Sequence, residues 1–204
     1  MTSTLVEVLA LREKKVIPAH VGMLNERIST PAMQILNRSE LVAEQFRLAF
    51  GNHPAGVAVV TASGARGPVG ITVSSLISVS ADPAYLAFSV ARVTGSAEVI
   101  LQAKSIVVHL LTASNAEIAA LFSRPGAQRF AQLERWEELS TGEPLIHGVG
   151  AALRCTIESR VEAGPATLVV ASVMEILDGE SLAAPLVYHR RGYHSIGEHS
   201  RLTA

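Results

Sequence analysis

The spacing of apolar residues changes near residue 56. Before it, Leu41, Val42, Phe46, Ala49 and Phe50 recur at close to 3.6-residue spacing, which predicts an amphipathic helix over Pro31–Phe50. Thr30 suits its N-cap and Pro31 its first position, and Gly51 and Pro54 end it. Beyond it come short β-branched runs bounded by turn residues. Val57–Ala62, Pro68–Ser75, Leu76–Ala81 and Tyr85–Val90 read as strands, the third closed by Asp82-Pro83. Ser105–Leu111 is nearly all apolar, the pattern of a strand buried on both faces. Ala151–Glu162 alternates, with Leu153, Cys155, Ile157 and Val161 on one face and Arg154, Thr156, Glu158 and Arg160 on the other, so one face is expected to be wet. Leu168–Leu177 is apolar on both faces, and Pro185–His189 is a short last strand. Two helices interrupt the series, one over about Ser96–Ala103. The other opens at Ser114, with Glu117 at capping-box spacing, and is ended by Pro125-Gly126. Many short strands without βαβ alternation predict a mainly β chain, a closed antiparallel barrel rather than a Rossmann sheet.

Composition narrows the function classes. The chain has 204 residues, 49% of them hydrophobic and 17% charged, which fits a folded domain and not a disordered chain. Lys and Arg number 17 against 18 Asp and Glu, a net charge of -1, so nothing favours a nucleic-acid partner. A single cysteine, Cys155, excludes an intrachain disulfide and a multi-cysteine zinc site; on the apolar face of its strand it reads as an inert buried thiol. No apolar run reaches the roughly 18 residues of a membrane span. Glu7 and the Arg12–Lys15 cluster break any signal-peptide core, so a cytoplasmic protein is expected. Leu5, Val8, Leu9 and Leu11 hint at a short helix near the N-terminus. Residues 1–40 are expected to be an extension, either packed on the surface or reaching a second subunit, and 41–204 the domain.

Searches for a GxSxG elbow, a P-loop or an HExxH helix find nothing. Gly148-x-Gly150 precedes a strand and makes a poor phosphate loop. His189, His194 and His199 recur every five residues, which spreads them to different faces of one strand or helix and predicts no metal site. Three stretches invite two readings each. Gly70–Ser80 is rich in hydroxyls, with Thr72 and Ser74 on one face and Val73 and Ser75 on the other. They are either ordinary strand and turn residues or the hydrogen-bonding wall of a site for a flat ligand. Arg92-Val93-Thr94-Gly95-Ser96 before a helix is either an ordinary cap or a phosphate cradle with Arg92 as charge partner. Tyr188–His194 packs two tyrosines, two histidines and two arginines into seven residues, as either a solvated barrel-rim strand or a wall that stacks on a ring.

Taken in order, these stretches resemble the flavin reductase family with the FMN-binding split-barrel fold. The resemblance rests on Phe46-Arg47 and Phe50-Gly51-Asn52-His53-Pro54-Ala55-Gly56-Val57, on Gly70-Ile71-Thr72-Val73-Ser74-Ser75 followed by Ser78–Pro83, and on Val107-Val108-His109-Leu110-Leu111. It continues through Asn115, Ile118 and Phe122 to Gly142-Glu143-Pro144-Leu145, Leu153-Arg154-Cys155 and Pro185–His189, and covers about residues 41–196. It implies an antiparallel split β-barrel with two or three peripheral helices and an N-terminal helical extension. It further implies a homodimeric NAD(P)H:flavin oxidoreductase that passes a hydride from NADH or NADPH to FMN or FAD and supplies a partner monooxygenase. Carried over by position, Thr72, Val73, Ser74 and Ser75 line the flavin ring and ribityl chain. Ser89, Ala91 and Ser96 follow the ribityl and phosphate path, and Tyr193 and His194 face the nicotinamide. No residue is assigned as a catalytic acid or base, since the two rings need only be positioned. One departure stands out. Many members carry Gly-Asp-His where this chain has Gly164-Pro165-Ala166, and that His is tied to nicotinamide binding. The alternative is therefore a flavin-binding split barrel without nicotinamide-dependent activity, serving as a carrier or an oxidase accessory.

Overall fold

A computed structural model of the chain describes residues 38–203, apart from 92–93, 126–127 and 180–182. All of these but Arg38 belong to the compact unit Ser39–Ala204. The helix expected from Pro31 is described from Arg38: α1 is Arg38–Gly51, ending at the predicted glycine. The N-terminal extension and the Arg92-Val93 half of the proposed cradle lie outside the described residues.

The chain continues through β1 (Ala55–Gly56), β2 (Ala58–Gly64), β3 (Gly67–Val73), β4 (Ile77–Ala81), β5 (Ala84–Val90), α2 (Ser96–Gln102) and β6 (Ser105–Leu110). A 3₁₀ turn, Ala113–Asn115, leads into α3 (Ala116–Ser123). Then follow β7 (Trp136–Glu138), β8 (Pro144–Ile146), β9 (Ala151–Ala163), β10 (Ala166–Asp178), β11 (Leu186–His189) and β12 (Gly192–Ser195). Four of these strands, β1, β7, β8 and β12, were not foreseen. The capping box lies on the 3₁₀ turn that precedes α3, earlier than the Ser114–Glu117 pair suggested. Thr112 is the cap and Asn115 its partner, with the Thr112 N–H donating to Asn115 Oδ1 at 2.9 Å.

Seven strands form one antiparallel sheet in the order β3-β2-β6-β9-β10-β5-β4. Period-2 alternation gives it two cores. Ala58, Val60 and Ala62 of β2, Ile106 and Val108 of β6, Cys155 of β9 and Val169 and Ala171 of β10 point inward with Val73 of β3 and Phe88 of β5. Residues from both ends of the strand order meet in that one cluster, so the sheet curls into a barrel. It does not close. β3 and β4 are edge strands, and Ser74–Leu76 between them lie outside every ladder. The barrel is therefore split at the hydroxyl-rich stretch, where the residue pattern alone predicted closure.

The other face of β2 and β6 carries Val57, Val59 and Val107, packed under Phe122, Leu145, Ile146 and Leu186. Two polar side chains lie on this buried face and hold the β7–β8 hairpin to it. Thr61 Oγ1 donates to Pro144 O at 2.6 Å. His109 Nε2 accepts the Ile146 N–H at 2.9 Å, so the ring proton must sit on Nδ1, which donates to Val59 O at 3.1 Å. A third link is ionic. Arg154 Nε donates to buried Glu143 Oε1 at 3.1 Å, so the face of β9 expected to be wet is half-buried at this point. Beyond Ile157 both faces of β9 leave the core, and Val161 is exposed. On β10, Leu168, Met174 and Ile176 are likewise exposed.

His109 makes the fold pH-sensitive. Burial removes its ring from water and pushes its pKa from 6.5 down to about 4. The unfolded chain thus takes up a proton near pH 6.5 that the folded chain refuses until about 4. Stability is complete above that window and falls through it as pH drops, by about 3 kcal/mol in all. Glu143 has its pKa held low; burial opposes this, but the Ser105 and Thr141 hydroxyls and the Arg154 charge outweigh it. Its contribution is lost only below its ordinary value of 4.5. Urea midpoints should therefore imply a loss of about 2 kcal/mol between about pH 7 and about pH 5, and His109→Asn should flatten that difference. A wild-type stability that does not change over this interval would contradict the assignment.

Candidate active site

The split in the barrel opens onto a groove of about 1,200 Å³. One wall is the end of β3 and the Ser74-Ser75 segment. Val73 points into the barrel core, while Thr72 turns the other way and donates its hydroxyl to Ala119 O of α3 at 2.7 Å. Ser75 bridges the split: its Oγ accepts the Ser89 N–H at 2.9 Å and donates to Ser89 O at 3.2 Å. Ser74 is exposed on the same side as Thr72. Local sequence explains the shape. Small hydroxyl residues leave space at the split, and Gly70 lets α3 lie close. A Cβ on Gly70 would stand 2.5 Å from Phe122 Cε1, so only glycine allows the Phe122 ring to reach the groove.

The opposite wall is the end of β5, the start of α2 and the segment after α3. Ser89, Ala91, Thr94, Gly95 and Ser96 line it. Thus Thr72, Val73, Ser74, Ser75, Ser89, Ala91 and Ser96, all singled out in the sequence, border one cavity. Tyr193 joins them from β12. It lines a smaller recess of about 180 Å³ together with Val57, Thr72, Ser74, Ser123 and Tyr188. Burial raises the pKa of its phenol, so the hydroxyl stays protonated. His194 does not border this space. Its Nε2 meets His189 O at 3.2 Å, and its ring packs on that of His189 with centroids 5.8 Å apart. The two histidines meet because β11 and β12 form a hairpin, an arrangement outside the one strand or one helix weighed for their spacing. Among the described residues no group of three or more His, Cys, Asp or Glu is placed to hold a metal. Cys155 is fully buried, and burial raises its thiol to about 12, which makes it inert.

Two arginines escaped the sequence reading. Arg66, at the β2–β3 turn, and Arg129 both line the groove, and no Asp or Glu is among its described lining residues. Arg129 Nη1 donates to Ser96 Oγ at 2.9 Å and Nη2 to Arg124 O at 2.7 Å, while its Nε is buried without a partner. Desolvation lowers its pKa, but a guanidinium remains charged at neutral pH. A cation held against a serine hydroxyl at the edge of the groove can receive an anion. A lone arginine in a loop carries no spacing signal, and its position depends on Ser96, far away in the chain. The groove thus offers a cationic end, a row of hydroxyls and an aromatic side wall. It fits a flat, polyol-linked phosphate ester.

Comparison with known proteins agrees with this chemistry. The flavin reductase like domain matches residues 50–197. An NADH:FMN oxidoreductase of Rhodococcus qingshengii is 39% identical over 157 residues, 76% of this chain and 82% of that protein. Among solved structures, a flavin reductase domain protein from Arthrobacter sp. FB24 superposes with a TM-score of 0.71 at 32% identity, covering 76% of this chain and 96% of that one. The styrene monooxygenase flavin reductase of Pseudomonas putida S12 does so with a TM-score of 0.66 at 28% identity, covering 74% and 97%. With its split barrel, its hydroxyl-lined groove and a family match over most of its length, this chain belongs to the flavin reductase family.

Proposed function

We propose that this chain is an NAD(P)H-dependent flavin reductase that transfers a hydride from NADH or NADPH to FMN or FAD and supplies reduced flavin to a partner monooxygenase. One observation carries the reading: a groove at the barrel split with two arginines, a hydroxyl row and no carboxylate among its described lining residues. When bound, the flavin supplies the hydride acceptor and the nicotinamide the donor. The chain's residues position the two rings. Thr72, Val73, Ser74 and Ser75 hold the polar edge of the ring system and the ribityl chain. Ser89 and Ala91 continue that path, and Ser96 with Arg129 takes the phosphate. Phe122 shields the groove from water, and Tyr193 meets the nicotinamide side, with His194 behind it.

The domain is taken as 41–204, with 1–40 as an extension. Among the described residues no helix is long and apolar enough to cross a membrane, and we place the enzyme in the cytoplasm. The β9–β10 turn, Gly164-Pro165-Ala166, favours the alternative, a flavin carrier without nicotinamide-dependent activity, because it lacks the family's histidine. NADH or NADPH consumption with FMN or FAD decides between them. Steady loss of reduced nicotinamide absorbance supports the reductase. Flavin binding without consumption of either nucleotide leaves the carrier.

Ser96→Asp tests the phosphate end. The introduced carboxylate competes for Arg129 and repels the phosphate, which should weaken FMN binding by roughly 5- to 150-fold, or on the order of 1–3 kcal/mol. Riboflavin, which has no phosphate, should bind nearly as before; equal losses for the two would remove Ser96 from the phosphate site.

On the donor side, Tyr193→Ala should raise the apparent KM for NADH about tenfold with little change in flavin Kd. His194→Ala should act in the same direction but more weakly, because its ring is engaged with His189. A Tyr193 effect confined to flavin Kd would place that residue on the flavin instead.

The oligomer proposed is a homodimer. Ile77, Val161 and Leu168 are exposed on the outer face of the β4-β5-β10-β9 end of the sheet, where Val161 and Leu168 are cross-strand partners. A contiguous apolar surface of this kind marks a contact between copies. Equilibrium sedimentation at micromolar concentration should give the dimer mass, and Leu168→Glu should shift it towards monomer. A wild-type monomer would refute the proposal.

A further inference from the structure

A second depression, of about 580 Å³, lies between the β2–β3 hairpin and α2, and it runs into the large groove at Arg66, Gly95 and Ser96. We infer that it receives the adenosine phosphate end of FAD, so that the dinucleotide is the preferred flavin. This rests on reading the large groove as the flavin site. Volume supports it: the depression falls within the roughly 300–1,000 Å³ usual for small-molecule sites, and a flavin ending at one phosphate would leave it empty. Its chemistry suits an adenosine. Pro68, Val99 and Ala103 offer an apolar surface for the base. Gln102 presents both a donor and an acceptor to a purine edge, and its Nε2 donates to Glu98 Oε1 at a long 3.5 Å. The Glu98 carboxylate can accept from ribose hydroxyls. Arg66 borders both spaces, where the diphosphate would cross from one to the other.

NADH also ends in an adenosine phosphate, and the continuity at Ser96, where the flavin phosphate is placed, favours FAD. The test measures Kd for FAD and FMN by flavin fluorescence quenching, and KM for NADH, on the full chain and on Val99→Glu and Gln102→Ala. The second variant trims an exposed side chain and leaves the packing intact. FAD should bind about tenfold tighter than FMN to the wild type. Val99→Glu should abolish that preference, and Gln102→Ala should reduce it severalfold, with FMN binding unchanged in both. Equal wild-type affinities would overturn the inference. So would variants that raise the KM for NADH and leave the FAD preference intact, an outcome that assigns the depression to the nicotinamide nucleotide. Failure of the wild type to bind either flavin would instead remove the flavin reading of the groove itself.

Discussion

The buried polar clasp on the outer face of β2 and β6 governs how the rest of the structure is arranged. Thr61, His109 and the Arg154–Glu143 pair reach a hairpin that would otherwise be held by a few apolar contacts. Each buried polar group finds its partner, so the hydrogen bonds offset the cost of burying them, and the clasp specifies one register. Trp136, at the start of the hairpin, packs edge-on against Phe130, with ring centroids 4.9 Å apart. Phe130 meets Phe122 in the same way at 5.3 Å, and Phe122 rests against Gly70 at the groove. A polar constraint at the hairpin is thus linked along the outer face to the groove through three rings. Arg129, next to Phe130, is held by the same chain of contacts and aimed at Ser96.

That arrangement bears on how a chain of net charge -1 would attract the phosphate ester proposed for the groove. Its bulk charge gives no steering, so attraction has to be local. Arg129 supplies it from a partly desolvated position, where an ionic hydrogen bond is worth more than in water. An unpartnered buried Nε is a cost in the free protein. Such a cost fits a side chain whose geometry serves a ligand more than the apo fold.

Strands with a strong period were legible in the sequence. β2, β6 and β9 fell within a few residues of their predicted ends because alternation and β-branched runs are set locally. β7 and β8 were not legible: strands of three residues have no measurable period, and their places are fixed by Thr61 and His109, distant in the chain. The β11–β12 hairpin was hidden for another reason. Its turn is Arg190-Arg191, with φ of 48° and 64°, where a hairpin turn usually announces itself with Asn-Gly. Contacts elsewhere hold that strained turn: the Arg190 N–H donates to Gly51 O at 3.0 Å and its Nε to Asn52 Oδ1 at 2.8 Å. Among the groove residues, the hydroxyls stood out by clustering in sequence, while Arg66 and Arg129 acquired meaning only once the fold brought them to Ser96.

The hairpin turn also bears on function. It ties β12, and with it Tyr193, to the end of α1, so the wall proposed for the donor is located partly by contacts outside the barrel core. The wall proposed for the flavin is located by the core itself, through Val73 inside and Thr72 on Ala119. Hydride transfer between two stacked rings is steep in distance and indifferent to protein acids and bases. In the proposed arrangement one wall belongs to the seven-stranded sheet, and the other to the three-stranded sheet β1-β11-β12, which buried Leu186 anchors to the second core and the Arg190 bonds tie to Gly51 and Asn52.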